Sequence, residues 1–448
     1  MSNKVPNNSG QSGQAAKVYA IGTLDTKQEE MLYVAQAIQA SGVAVTIVDV
    51  GTRKVAQPVT ELSGIPVISS SAVADFHPQG REFFNVDLNS RLDRGTAVAA
   101  MSQALTELLS DDYAQGLFSA VIGIGGSGGT SLITHAMQAL PIGAPKLMVS
   151  TMASGNVAPY IDCSDITLMY SVVDIAGLNA ISEKVLGNAA AAIAGMAAQS
   201  TQTASNTASE HQPTLAITMF GVTTPCVDAV RKTLCAAGYH CLIFHATGSG
   251  GRAMEKLVAS GFIDGVLDIT TTEIADEIVG GVLSAGPNRL DAIIASGVPY
   301  VLSLGALDMV NFAGMDTVPE QFKQRLLHRH NPDITLMRTT AEECRAIARW
   351  VASKINRFTS PLIILMPEQG LSMMDAPGQP FYDADANAAL IDELKSAIDQ
   401  TRIRQLRSLP CNINDLEFSD ALAAAYLELA QQQTSSALNM KTEDVFND

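Results

Sequence analysis

Two rhythms of apolar residues alternate along this chain. Short, almost unbroken apolar runs occur at 17–22 (KVYAIG), 43–50 (VAVTIVDV), 120–125 (AVIGIG) and 146–151 (KLMVST). More follow at 214–221 (TLAITMFG), 240–246 (HCLIFHA), 265–270 (GVLDIT), 300–305 (YVLSLG) and 361–367 (PLIILMP). Between them lie longer stretches in which apolar residues recur every three or four positions. In 27–42 (KQEEMLYVAQAIQASG), Met31, Leu32, Val34, Ala35 and Ile38 share one stripe. A continuous apolar run fits a strand buried on both faces, and a 3.6-residue rhythm fits a helix covering such a sheet. The expected class is therefore α/β, with two tandem Rossmann-like domains of mostly parallel sheet and a cleft between them.

The pattern lapses at three places. The opening residues and the stretch around QSTQTASNTASEHQP are polar and low in complexity, and the last residues lose the apolar rhythm. Ser, Thr, Asn and Gln cannot build a core. The expected boundaries are an unstructured tail at 1–16, an α/β domain at 17–200, a linker at 201–212, a second α/β domain at 213–432 and a C-terminal tail at 433–448. The halves share a plan of strand, glycine-containing turn, helix, small-small-Gly and second strand. Gly42 then corresponds to Gly238, and Asp49 to His245, which suggests an internal duplication.

Composition narrows the partners. The 448 residues are 47% hydrophobic and 16% charged, with mean hydropathy +0.17 and net charge −17. Such an acidic chain repels phosphate backbones and anionic membranes at long range, so neither nucleic acid nor a membrane is an expected partner. A small anion remains compatible, because helix N-termini attract anions locally. The opening residues carry no apolar signal segment, and the run Ala189–Ala198 is too short to cross a bilayer. Six cysteines (Cys163, Cys226, Cys235, Cys241, Cys344 and Cys411) show no C-x-x-C spacing, which fits a reducing cytoplasm and no metal ribbon.

The segment VIGIGGSGGT places five glycines between Gly123 and Gly129 where a strand gives way to a helix. The spacing Gly123-x-Gly125-x-x-Gly128 suits backbone amides approaching a phosphate. It equally permits close helix–sheet packing. The dinucleotide fingerprint also asks for an acid at the next strand end, and KLMVSTMASG offers only hydroxyls, which weakens a nicotinamide reading. In GTLDTKQEE, Thr26 and Glu29 have capping-box spacing, while Lys27 is a cation in a first helical turn, where an anion nearby would relieve it. Asp49, Arg53 and Lys54 flank a further loop.

The second half offers Gly248, Gly250, Gly251 and Arg252 before a helix, which suggests a second amide nest with an arginine clamp. Around it stand Thr271, Glu273, Asp308, Asn311, His328, His330 and Arg338. His245 and Asp308, both at strand ends, could act as base and acid. His245, Arg252, Glu273, Asp308 and Arg338 are the candidate catalytic set. His328-x-His330 lacks a third ligand, and Thr340 with Glu343 reads as a helix cap.

Taken together, IGTLDTKQEE, GIGGSGGT, VSTMASGN, MFGVTTPCV, FHATGSGGRAMEKL, DITTTE, LSLGALDMVNF, HNPDITLMRTT and GQPFYDADA resemble the family typified by the ATP-binding N-terminal domain of the tomato mosaic virus resistance protein, which has many uncharacterised bacterial members. The resemblance implies two Rossmann-like subdomains, an ATP site and a homodimer. Carried over by motif, that site comprises Thr23, Asp25, Thr26 and Lys27; Gly125, Gly126, Ser127, Gly128, Gly129 and Thr130; and Thr151, Met152, Ala153, Ser154 and Gly155. The plant protein continues into a barrel domain that this chain does not include, so a separate barrel enzyme is a conceivable partner.

The functional expectation is a cytoplasmic, dimeric protein that binds ATP, with Mg2+ as an allowed companion. Amides of Gly125 to Thr130 would bind phosphate, Lys27 would neutralise charge, and Asp25 would orient ribose or a metal-bound water. The alternative is an enzyme acting on a small phosphorylated or carboxylated metabolite in the interdomain cleft.

Overall fold

The computed structural model describes residues 15–52, 58–80, 93–203 and 212–445, and the side chains of all of these except 202, 203 and 434–445. Arg53, Lys54, most of the expected N-terminal tail and residues 204–211 of the expected linker lie outside this set. The chain divides into two compact units at Ser209/Glu210.

In the first unit, β1 (Lys17–Gly22) leads through α1 (Leu24–Ala40) to β2 (Ala44–Asp49). A hairpin of β3 (Glu61–Leu62) and β4 (Ile65–Ile68) precedes α2 (Ser70–Ala74) and α3 (Arg94–Ala114). Then follow β5 (Ala120–Gly125), α4 (Ser127–Ala139), β6 (Lys146–Ser150), α5 (Ala158–Ile161), β7 (Thr167–Tyr170) and α6 (Ala180–Thr203). The sheet order is β3-β4-β2-β1-β5-β6-β7, parallel except for the β3–β4 pair. Alternation along β1 explains the unbroken apolar run. Val18 and Ala20 pack with Met31, Val34, Ala35 and Ile38 of α1 on one face, while Tyr19 and Ile21 pack with α3 and α4 on the other. The chain leaves β1 toward β2 on one side and later returns to β5 on the other. The carboxyl ends of β1 and β5 therefore form the crevice where open α/β sheets hold ligands.

The second unit contains β8 (Thr214–Met219), α7 (Thr224–Ala236), β9 (His240–His245), α8 (Ser249–Ala259), β10 (Gly265–Thr270), α9 (Thr272–Val279), α10 (Asp291–Ser296) and β11 (Tyr300–Gly305). An antiparallel sheet of β12 (Met309–Phe312), β13 (Leu327–Asn331) and β14 (Ile334–Arg338) interrupts the alternation. It is followed by α11 (Ala341–Ile355), β15 (Leu362–Pro367), α12 (Ala384–Ala397), β16 (Arg404–Leu409) and α13 (Leu416–Val445). The main sheet is fully parallel, in the order β16-β15-β11-β10-β8-β9. α7 and α13 cover one face, and α8 to α12 the other.

The two units share the plan that the sequence suggested. β1–α1–β2 and β8–α7–β9 are parallel pairs in matching register, with Gly22 opposite Asp49 and Met219 opposite His245. α6 runs into the stretch expected as linker, and α13 continues to Val445 through the stretch expected as tail.

Candidate functional site

The glycine corner of the first unit lies on the switch-point edge. β5 ends at Gly125, Gly126 is the residue before the helix, and α4 begins at Ser127. The five glycines divide into two groups by the space around them. A β-carbon on Gly123 would lie 2.6 Å from Ile133 Cγ2 and from Met148 Sδ, and one on Gly125 would lie 2.9 Å from Thr130 N. These two are required by packing. Gly126, Gly128 and Gly129 would meet nothing closer than 3.8 Å, and none of them has positive φ. Neither packing nor backbone conformation calls for glycine at those three positions.

No side chain caps α4. Thr130 N donates to Gly126 O at 2.8 Å, the first bond of the helix. Among the described residues, no acceptor takes the amides of Ser127, Gly128 or Gly129. Below the corner, the Thr130 and Ser150 hydroxyls are 2.6 Å apart, and Ser150 Oγ accepts from Met152 N at 2.9 Å. This ties the loop after β6 to the glycine corner, and Thr151 Oγ1 faces Gly126. Thr151, Met152 and Ala153 are half-buried, while Ser154 and Gly155 are exposed at the same edge.

The neighbouring corner, after β1, is satisfied from within. Asp49 Oδ1, at the end of β2, accepts from Leu24 N at 3.0 Å and Gly51 N at 2.9 Å. Thr23 O accepts from Thr26 N and Lys27 N. The helix therefore starts from Thr23 with Asp49 as its anion, and the capping box expected at Thr26 and Glu29 gives way to this arrangement. Asp25 is exposed beside Gly51.

Lys27 occupies a different place from the one its sequence position suggested. It kinks α1 (φ −138°, ψ 29°), and its ammonium donates to Ile175 O across the unit. Buried Glu30 acts in parallel, accepting from Gly177 N at 2.7 Å. Both side chains hold the loop after β7 against α1. Among the described residues, the cation found at the glycine corner is Arg94, the exposed first residue of α3, whose Nη2 lies 3.9 Å from a β-carbon built on Gly128. No local pattern marks Arg94, because its neighbours at the corner lie more than thirty residues on.

In the second unit the amide nest already has an anion. Glu273 Oε1 accepts from Gly248 N at 2.7 Å and Gly251 N at 3.0 Å, and its Oε2 pairs with Arg289 at 3.0 Å. Arg289 is fully buried and also pairs with Asp268 at 2.8 Å and Glu255 at 3.1 Å. Burial pushes the carboxyls of Glu255 and Glu273 up against the pull of Arg289. The three carboxylates raise Arg289 well above its usual range, although its burial works the other way. Glu273 therefore belongs to an internal ion network, and Arg252 is exposed, reaching Ser284 O at 3.4 Å. The expected anion clamp around Gly248–Gly251 is closed by the protein itself.

The remaining candidates do not converge. His245 is exposed at the end of β9, three strand steps from β11 and hence about 14 Å from the strand that leads to Asp308. Asp308 is buried and accepts from Ser372 Oγ at 2.8 Å, while its Oδ1 has no partner among the described residues. Burial raises its pKa, and the neighbouring Asp375 carboxylate raises it further. Arg338 is also buried, held by Phe381 O at 2.7 Å and Asn387 Oδ1 at 2.8 Å. Asn311 bonds Thr272 Oγ1 and Asp276, and Thr271 bonds Ser303 O. His328 meets the Phe381 ring edge-on, while His330 is exposed. The Thr340–Glu343 capping box is present in both directions, at 3.2 and 2.8 Å. The loops after β15 and β16 are joined to the loop after β8, Met373 N donating to Val222 O at 3.0 Å and Asn414 Nδ2 to the same oxygen at 3.0 Å. No helix among the described residues is long and apolar enough to cross a membrane.

Comparison with known proteins follows the same division. The pattern described as "Uncharacterised protein family (UPF0261) N-terminal domain" matches residues 16–202, and that of the C-terminal domain of the same family matches residues 212–430. A UPF0261 protein of Rhizobium meliloti (strain 1021) is 50% identical over 92% of this chain and 99% of its own length. A UPF0261 protein of Clostridium tetani (strain Massachusetts / E88) is 42% identical over 93% and 99%. The ToMV resistance protein Tm-1 of Solanum lycopersicum is 43% identical over 96% of this chain, which spans 59% of that longer protein. Among solved structures, an uncharacterized protein of Bacillus cereus ATCC 10987 overlaps 75% of this chain and 95% of its own at 11% identity, with a TM-score of 0.26, too distant to bear on the site.

Proposed function

The chain belongs to the uncharacterised protein family UPF0261, and on that premise we propose that its first unit binds ATP by its phosphates at the glycine corner between β5 and α4. One observation carries the reading: the amides of Ser127, Gly128 and Gly129 have no acceptor among the described residues, and the glycines in front of them leave space that neither packing nor backbone conformation requires. A helix N-terminus without a side-chain cap, at a topological switch point, is a favourable seat for phosphate. The neighbouring corner of α1 is neutralised by Asp49, and the nest of the second unit by Glu273, so those two corners have less to offer an anion. Thr151 borders the same space, and Thr23 and Asp25 stand along the same edge.

Bound Mg2+ would shield phosphate charge. Asp25, exposed at the same edge, is the carboxylate suited to a metal-bound water. The same reading takes the protein as a cytoplasmic homodimer, with a separate barrel enzyme as the partner for any reaction that needs a further domain. Metabolite chemistry is the weaker reading, because His245, Arg252, Glu273, Asp308 and Arg338 do not assemble into one set within the second unit.

Calorimetric titration of the full chain with ATP and Mg2+ tests the proposal. Saturable binding that is lost in Gly128→Val is the expected result, and absence of heat at millimolar ATP rejects it.

A further inference from the structure

Resting on that reading, we infer that Arg94 is the cation of the phosphate site and makes it selective for nucleotides with more than one phosphate. Arg94 is the exposed first residue of α3, whose own N-terminus is capped by Asp93, the carboxylate of which accepts from Thr96 N at 3.1 Å. Its guanidinium lies beside Gly128, at the positive end of α4. One uncapped helix N-terminus, that of α4, and a guanidinium thus meet at this corner, and among the described residues no ion pair engages Arg94. Arg94 is exposed, so its guanidinium is solvated in the free protein and can turn to an anion bound at that corner.

Buried arginines elsewhere in the chain show the contrast. Arg289 meets three carboxylates, and Arg338 is held by carbonyls, Asn387 and Asp375. Among the described residues, Lys27 near this edge is tied to Ile175 O, and Arg94 is the cation beside the glycine corner. The amides of Ser127 to Gly129 suit a single phosphate. A guanidinium fork offset from them suits two oxygens of the next phosphate along the chain. The class that satisfies both is a nucleoside diphosphate or triphosphate, with the monophosphate reaching the amides alone.

The test is titration of the full chain with AMP, ADP and ATP, at low and high salt, in wild type, Arg94→Ala, Arg94→Lys and Gly128→Val. Circular dichroism confirms that each variant is folded. Wild type is expected to prefer ATP and ADP to AMP. Arg94→Ala should weaken ATP and ADP by about tenfold to a hundredfold and AMP by less than about threefold, and should flatten the salt dependence; Arg94→Lys should recover part of the loss. Equal weakening of all three nucleotides, or none, overturns the role of Arg94 while leaving the nucleotide site standing. Wild type that binds none of them overturns the site itself and this inference with it.

Discussion

Glu273 Oε1 lies 3.0 Å from the amide nitrogen of Gly251, so the second unit fills from within the kind of amide-lined corner that the first leaves open. Glu273 is the second residue of α9, and Gly128 is the second residue of α4. Both helices follow the strand next to the first strand of their unit. At that position one unit carries its own carboxylate and the other carries no side chain.

Glu273→Gln is expected to destabilise the second unit strongly. The new amide would set a donor against either Arg289 or the two glycine amides, in a buried site. Breaking one member of a buried ion network costs roughly 3–5 kcal/mol. In a urea titration the transition of the second unit should shift while that of the first stays. Affinity for ATP should be unchanged, and a loss of affinity would count against a site confined to the first unit.

Alanine at Gly125 and at Gly128 should have opposite consequences. At Gly125 the new methyl meets Gly129 and Thr130 backbone at 2.9 Å, and backbone cannot move aside cheaply, so a loss of about 1–3 kcal/mol is expected. At Gly128 the nearest atom is 3.9 Å away and the backbone is helical, so alanine should hold or raise stability by up to about 1 kcal/mol. The same methyl projects into the space assigned to phosphate, and ATP affinity should fall. Thermal unfolding paired with calorimetry on the two variants separates packing glycines from binding glycines.

The layers of this fold are legible in the sequence because strands buried on both faces leave unbroken apolar runs, and helices leave a stripe. Val18 to Ile21 and Met31 to Ile38 show this directly. Interactions confined to one turn are legible too, as at Thr340 and Glu343. The same spacing misleads at Thr26 and Glu29, because Asp49 arrives from another strand and moves the cap to Thr23. Arg94 and Arg289 carry no signature, since what they face is set by the sheet order rather than by neighbouring residues. Glu273 in a first helical turn looks the same from sequence whether it meets a ligand or an internal nest.

Lys27→Met should leave ATP affinity within about threefold of wild type, in contrast to Arg94→Ala. The ammonium of Lys27 is engaged with Ile175 O, so its removal acts on the loop after β7. A charged hydrogen bond of this half-buried kind contributes on the order of 1 kcal/mol. Hydrogen exchange should show faster opening around Ile175 and Gly177. A collapse of ATP affinity would instead place Lys27 in the phosphate site.

Asp308 gives the second unit a pH dependence with a definite sign. Burial first, and Asp375 second, push its carboxyl from the usual 3.8 up to about 7. Between those values the folded chain holds a proton that the unfolded chain has released. Its contribution to stability is therefore greatest below about pH 4, declines as pH rises and is lost above about pH 7. Asp308→Asn keeps an oxygen for Ser372 Oγ and places an uncharged amide where Oδ1 has no partner. Urea midpoints of the second unit, measured from pH 5 to pH 8, should fall more steeply in wild type than in the variant, and the variant should gain on wild type as pH rises. Parallel profiles would show that Asp308 is ionised in the folded protein throughout this range.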